Sequence, residues 1–167
     1  APVIREYERT STTVADAYVR PLTDAYLSEM ANGLQVKGFT GNFYLMSSGG
    51  GTVPVAVARR YPIRLVESGP AAGALAAGFY GQLTDIDQII SFDMGGTTAK
   101  LCLLTDGRPS VVNTLEVGRT HRFMRGSGMP VVIPSIELIE IGAGGGSVAR
   151  IDAMGLLKVG PESAGAD

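Results

Sequence analysis

The sequence predicts an α/β fold, and three features carry that prediction: an amphipathic helical pattern over residues 12–31, a helix of small residues over 70–81, and short apolar runs separated by glycine-rich turns. The most closely spaced runs, within 89–104 and at 110–117, predict an antiparallel three-stranded hairpin unit in a mixed sheet flanked by helices.

The chain has 167 residues, enough for one domain, and 45% hydrophobic residues to fill a core. It opens on Ala1 and closes on the small-residue stretch GPESAGAD, so a segment of a longer protein is the expectation. A formal net charge of −2 gives no electrostatic case for nucleic acid or an acidic membrane surface, and no apolar run is long enough to cross a bilayer. Cys102 is the single cysteine and lies inside an apolar run, where a buried thiol is expected. It leaves no internal disulfide or cysteine-based metal site, in keeping with a reducing cytoplasm. Glycine, at 23 residues, is about twice as frequent as usual, and its clustering points to backbone-lined sites.

In the first helix, Thr12, Thr13 and Asp16 read as a capping signal, with Val14, Ala17, Tyr18, Leu22, Ala25, Tyr26 and Met30 as the small and apolar stripe. Pro21 should kink or split this helix because its ring meets the carbonyl of Ala17, and Asn32-Gly33 supplies the stop. Residues 42–46 read as a short strand entering Ser47-Ser48-Gly49-Gly50-Gly51-Thr52, followed by a short helix over 53–60. A glycine-rich turn between strand and helix can place helix N–H groups on a phosphate, or serve topology alone. Residues 63–66 read as another strand, closed by Glu67, before Pro70 opens the small-residue helix and Gly81 ends it. Gly73 with Ala77, and Ala74 with Gly78, allow that helix to pack closely on a sheet. Glu67 stands where α/β folds put catalytic groups, a place that a solvated loop carboxylate also occupies.

Within 89–104, Ile90 and Phe92 alternate with Ile89, Ser91 and Asp93, so Asp93 emerges at the strand end beside Gly95-Gly96-Thr97-Thr98. Paired glycines let backbone N–H groups approach an anion, the threonine hydroxyls add donors, and Lys100 projects on the side of Thr98. Asp93 cannot hold a phosphate directly, but it can hold the Mg²⁺ that accompanies one. A plain hairpin bent by Gly-Gly satisfies the same spacing. Asp106-Gly107 is a hairpin signal leading into the third strand, and Arg119, His121, Arg122 and Arg125 then fall in a surface loop over 118–130. Residues 131–141, apolar with Pro134, Glu137 and Glu140, run into Gly142-Ala143-Gly144-Gly145-Gly146-Ser147. Glycine weakens a strand, so this cluster calls for ligand contact or a close backbone crossing. Residues 148–151 and 156–159 flank Asp152-Ala153-Met154-Gly155 as a closing hairpin.

VESGPAAGALAAG followed by SFDMGGTTAKLCLL resembles the junction between the two halves of the actin-like ATPase fold of sugar kinases, actin and heat-shock chaperones. With SSGGGTVPVAVA before it and IELIEIGAGGGSVARID and GLLKVGPESAGAD after it, the chain resembles the hydantoinase A, 5-oxoprolinase and acetone carboxylase family over nearly its full length. The resemblance implies a ribonuclease-H-like arrangement, with 1–84 as the helix-rich end of one lobe and 85–167 as the β-rich start of the next. It implies a cytoplasmic, ATP- and Mg²⁺-dependent enzyme that activates a carbonyl by phosphorylation to open a cyclic amide such as a hydantoin or 5-oxoproline. The alternatives are a ketone carboxylase subunit and a non-catalytic switch driven by nucleotide. The first phosphate loop of the family would lie outside this chain, so the isolated segment would be inactive.

Carried over residue by residue, Asp93 would face the metal and act in catalysis with Glu67. Gly95, Gly96, Thr97 and Thr98 would cradle phosphate, with Lys100 neutralising charge, and Gly144, Gly145, Gly146 and Ser147 would form a second ligand loop. Lys100 stands where chaperone-like patterns carry a carboxylate, and Glu67 is slightly out of register with the chaperones' active-site glutamate. The implied partners are a small cyclic amide or ketone and a second, hydantoinase B-like subunit. Apolar surface left uncovered would also favour a homo-oligomer.

Overall fold

A computed structural model describes residues 4–121 and 124–165, and its packing divides the chain into two units. The first takes in Ala1–Ala72 and Val111–Ile136, the second Gly73–Ser110 and Glu137–Asp167. A boundary at 84/85 follows chain order, whereas in the packing the chain returns to the first unit over 111–136. The elements begin with α1 (Glu6–Val36), β1 (Tyr44–Met46), β2 (Thr52–Pro54), α2 (Val55–Arg60), a 3-10 turn (Pro62–Leu65) and α3 (Ser68–Leu83). Then come β3 (Ile89–Met94), β4 (Ala99–Thr105), β5 (Arg108–Pro109), β6 (Val111–Val112), β7 (Leu115–Val117) and β8 (Met129–Val131). The last are β9 (Ser135–Ile136), β10 (Ile139–Ile141), β11 (Ser147–Ile151) and β12 (Leu157–Ser163).

In the first unit α1 packs on the 3-10 turn, α2 and β8, around a core of Ile63, Val131 and Ile133 with Ala15 and Val66 against it. The expected cap at Thr12–Asp16 is instead mid-helix. Thr12 and Asp16, with Ser11 before them, are buried and engage the backbone of neighbouring segments, while Thr13 is exposed and donates to the Arg9 carbonyl at 2.8 Å. Ser11 Oγ donates to the Pro130 carbonyl at 2.6 Å, Thr12 Oγ1 accepts the Val132 N–H at 2.8 Å, and Asp16 accepts the Ile63 N–H at 3.2 Å while pairing with Arg20. The helix also runs unbroken through Pro21. An interior proline costs about 3 kcal/mol. Packing on both sides outweighs it, through Ala15 in the core before the proline and the buried Leu27 after it. The stop is Gly38 rather than Gly33: with φ of 84°, its N–H donates to Gln35 at 2.9 Å and that of Phe39 to Leu34 at 3.0 Å, a Schellman termination.

Two further expectations are corrected in this unit. Residues 47–52 join two antiparallel strands, with Leu45 opposite Val53, and the helix begins only at Val55, so this turn is not at a helix N-terminus. Residues 63–66 are not a strand. Pro62 sits in the first turn of the 3-10 segment, so Glu67 follows a helical turn and precedes α3. Arg122 lies outside the described residues; the segment containing Arg119, His121 and Arg125 connects β7 to β8, which pair with Glu116 opposite Pro130.

The second unit is built on β3 and β4, with β10 and β5 along the other side of β4. Every strand pair among the described residues is antiparallel, so the sheet is not mixed. The third hairpin strand is broken up: only Arg108–Pro109 pairs with β4, while Val111–Val112 pairs with β9 and Leu115–Val117 with β8. Pro109 has no N–H to extend the ladder. The Asp106-Gly107 turn forms as the sequence requires, with φ of 53° and 69°. Helix α3 lies close to this hairpin. A side chain at Gly78 would meet the Gly107 carbonyl at 2.5 Å, and one at Gly81 would meet Ile89, whereas Gly73 faces open space. The closing hairpin is β11 with β12, turning on Asp152, whose Oδ1 accepts the N–H groups of Met154 and Leu156 at 2.9 Å. Among the described residues no helix is long and apolar enough to cross a membrane.

Candidate functional site

Residues paired directly across an antiparallel ladder share a face of the sheet. Asp93 is opposite Lys100, and Lys100 is opposite Glu140, so these three side chains form one row across β3, β4 and β10. Lys100 Nζ lies 3.9 Å from Glu140 Oε1, with the lysine side chain largely buried and the glutamate exposed. Ile89, Ser91, Cys102 and Leu104 continue the same face away from the turn. Burial pushes the Cys102 thiol above its ordinary pKa, with Glu137 adding to the shift, which keeps it protonated as expected of an inert core cysteine.

At the end of this row the chain turns through 95–98, closed by Gly95 N–H to the Thr98 carbonyl at 3.0 Å. The second glycine cluster lies directly against it. Gly145 N–H donates to the Gly95 carbonyl and Gly146 N–H to the Gly96 carbonyl, both at 2.9 Å. A Cβ on Gly144 would come within 2.6 Å of the Gly95 oxygen and 2.7 Å of the Gly96 carbon and Thr97 nitrogen. The close backbone crossing is therefore present, and it accounts for the glycine at 144. In a trans peptide the carbonyl and the following N–H point in opposite directions. With the carbonyls of Gly95 and Gly96 held by the 144–146 loop, the N–H groups of Gly96 and Thr97 point away from it. Both residues are exposed, and neither N–H enters a backbone hydrogen bond among the described residues.

This arrangement presents two successive N–H donors, a cation and an exposed carboxylate at one strand end. Mg²⁺ typically takes one or two protein carboxylates and completes its shell with water and phosphate oxygens. Asp93 and Glu140 stand on either side of Lys100 in this row, and no group of three or more His, Cys, Asp or Glu among the described residues forms an all-protein metal cage. Glu140 was missing from the sequence-derived set because it enters the row only through pairing of β10 with β4. Its one local sign was a carboxylate between Ile139 and Ile141. Glu67, half-buried, belongs to the first unit and holds φ of 60°, with its carbonyl accepting Ala71 N–H at 3.1 Å.

Residues 9–167 match the hydantoinase/oxoprolinase family. The chain belongs to that family. It is 47% identical to an uncharacterized protein of Methanocaldococcus jannaschii over 99% of its length and 25% of that protein's. A crystal structure of the ATP-dependent caprolactamase of Pseudomonas jessenii is 36% identical, with a TM-score of 0.74 over 99% of this chain and 23% of that one. The nucleotide-free structure of an ATP-dependent acetone carboxylase gives a TM-score of 0.77 at 27% identity, over 97% of this chain and 21% of that one. The chain thus spans about a quarter or less of the length of these family members.

Proposed function

We propose that this chain supplies part of the nucleotide and Mg²⁺ site of an ATP-dependent enzyme that opens cyclic amides of the hydantoin or 5-oxoproline type, within a ribonuclease-H-like, actin-like lobe. The observation that carries this reading is the pair of outward N–H groups at Gly96 and Thr97, set at the end of the Asp93–Lys100–Glu140 row. Mg·ATP, when bound, supplies the phosphoryl group that converts a carbonyl oxygen into a leaving group. Gly96 and Thr97 bind phosphate oxygens through their N–H groups, and the Thr97 and Thr98 hydroxyls add donors. Asp93 would hold the metal, and Lys100, restrained by Glu140, would offset phosphate charge. Glu67, in the first unit, is proposed as a further catalytic residue on its own backbone geometry: a non-glycine residue held at φ of 60° ahead of a helix is the kind of backbone strain that active sites keep.

The likeness to a caprolactamase supports the amide reading, and the caprolactamase relative is itself named as an α subunit, which supports a second subunit here. The likeness to acetone carboxylase favours a second reading, a ketone carboxylase subunit. Phosphate release from ATP by the full-length protein carrying this sequence separates them. Stimulation by 5-oxoproline, a hydantoin or a lactam, reduced about 100-fold in Asp93→Asn, is the expected result. Stimulation only by acetone with bicarbonate moves the protein to the carboxylases, and wild-type behaviour of Asp93→Asn removes the central turn from the site.

A further inference from the structure

We infer that the 144–147 loop is a brace: Gly144 is a positioning residue that orients the phosphate-facing peptides of 95–97 and does not itself touch the ligand. This rests on the nucleotide reading above. The N–H groups a ligand loop would offer are already used, since Gly145 and Gly146 donate to Gly95 and Gly96, and Gly144 N–H donates to Ser147 Oγ at 2.9 Å. The loop is closed on itself by Ser147 N–H to the Gly144 carbonyl at 3.0 Å. It is backed in turn by residues 163–165. Ala164 N–H donates to the Gly146 carbonyl at 2.7 Å, and a Cβ on Gly146 would meet Ser163 Oγ at 2.9 Å.

Three backbone layers, 163–165, 144–147 and 95–97, are therefore stacked by hydrogen bonds. Each peptide plane transmits orientation to the next, because a fixed carbonyl fixes the N–H on its opposite side. The outermost N–H pair is thus set before any anion arrives, which removes an ordering cost from binding. Glycine at 144 is required by the separation of the layers, since a methyl group there would lie inside the van der Waals contact of three backbone atoms. At 145 the nearest backbone atom would be an ordinary 3.8 Å away.

The test combines Mg·ADP binding by calorimetry with amide hydrogen exchange in the full-length protein. Gly144→Ala should weaken Mg·ADP binding about tenfold or more and speed exchange at 145–146 by a similar factor. Exchange at 131–133, in the core of the first unit, should stay as in wild type, which a general loss of stability would not allow. Gly145→Ala should show a smaller loss, and Gly73→Ala, in open space on α3, should change neither readout. If Gly144→Ala does not fold, Ser147→Ala removes the acceptor for Gly144 N–H without crowding the backbone, and should weaken binding about threefold. Wild-type affinity in a folded Gly144→Ala, or in the fallback Ser147→Ala, overturns the brace while leaving the nucleotide reading intact. Failure of the wild type to bind either Mg·ADP or pyrophosphate overturns the nucleotide reading, and the brace with it.

Discussion

The turns at 47–52 and 95–98 both join antiparallel strands and both carry consecutive glycines, yet their backbone groups go to different places. In the first, Ser47 N–H donates to Gly51 at 2.7 Å, Ser48 N–H to Arg64 at 2.7 Å, and Gly50 N–H to Ser47 at 3.0 Å. Ser48 is buried, its hydroxyl 2.7 Å from the Arg64 carbonyl and 2.5 Å from that of Val66, and its own carbonyl accepts Ile136 N–H at 2.8 Å. The polar groups of that turn hold the first unit together. In the second turn the carbonyls of Gly95 and Gly96 are held from behind, and the N–H groups of Gly96 and Thr97 remain available. Glycine content does not distinguish the two turns. What does is which side of the peptide plane the rest of the fold occupies.

The strongest way to break this comparison is to add one methyl group to each turn. Gly96 has no heavy atom within 4 Å of an added Cβ, so Gly96→Ala should fold normally. The methyl would stand beside the outward N–H pair, and Mg·ADP affinity should fall about tenfold to a hundredfold with the melting temperature within about 2 °C of wild type. Gly49→Ala should do the reverse. Its Cβ would press on the Pro134 carbonyl at 3.2 Å, so the melting temperature should drop by a few degrees, about 1 kcal/mol, with Mg·ADP affinity unchanged. Nucleotide loss in Gly49→Ala, or none in Gly96→Ala, would mean the two turns have been assigned the wrong way round.

Removing the buried hydroxyl sharpens the same contrast by a smaller amount. In Ser48→Ala the Arg64 carbonyl still accepts Ser48 N–H, so only the Val66 carbonyl depends on the hydroxyl alone. The cost should sit near the lower end of the range for an unsatisfied buried acceptor, about 1 kcal/mol, read as a shift in denaturant midpoint without a change in slope.

Local chemistry was legible where a short stretch decides the outcome by itself. The β3–β4 hairpin, the Asp106-Gly107 turn, the 148–159 hairpin and the small-residue helix all follow from alternation, turn residues or proline placement within a few positions. The misreadings share a different cause. Thr12, Thr13 and Asp16 look like a helix start because short polar side chains compete for backbone groups, and here Thr12 and Asp16 bind backbone that belongs to segments far along the chain. Pro21 was read from its local cost, while the packing that absorbs it is tertiary. The 110–117 run split because its pairing partners, β8 and β9, come later in the sequence. The candidate site shows the same division: Asp93 and the turn were readable in place, whereas Glu140 depends on how β10 pairs and the relation of Gly144 to Gly95 on how the two loops cross.

A third loop, between β7 and β8, gives the mildest test, because its backbone is held by a carboxylate instead of by glycine packing. Glu116 accepts Gly126 N–H at 2.7 Å and pairs with Arg119 at 3.1 Å. The Gly126 hydrogen bond, with Arg119 and Gly128 assisting, holds its carboxyl below the ordinary carboxylate pKa. A pKa lowered in the folded state contributes stability that is present above the unfolded value and lost as pH falls through the folded one. The group is on the surface, so the effect is small: exchange protection at Gly126, corrected for the intrinsic pH dependence, should decline about threefold once the medium is more acidic than the ordinary carboxylate range. Glu116→Gln keeps an acceptor for Gly126 and removes the charge, so it should retain part of the protection and lose its pH dependence. Mg·ADP affinity should be the same in both proteins. A pH dependence that survives in Glu116→Gln would place the titrating group elsewhere in the loop and leave Glu116 as a hydrogen-bond acceptor only.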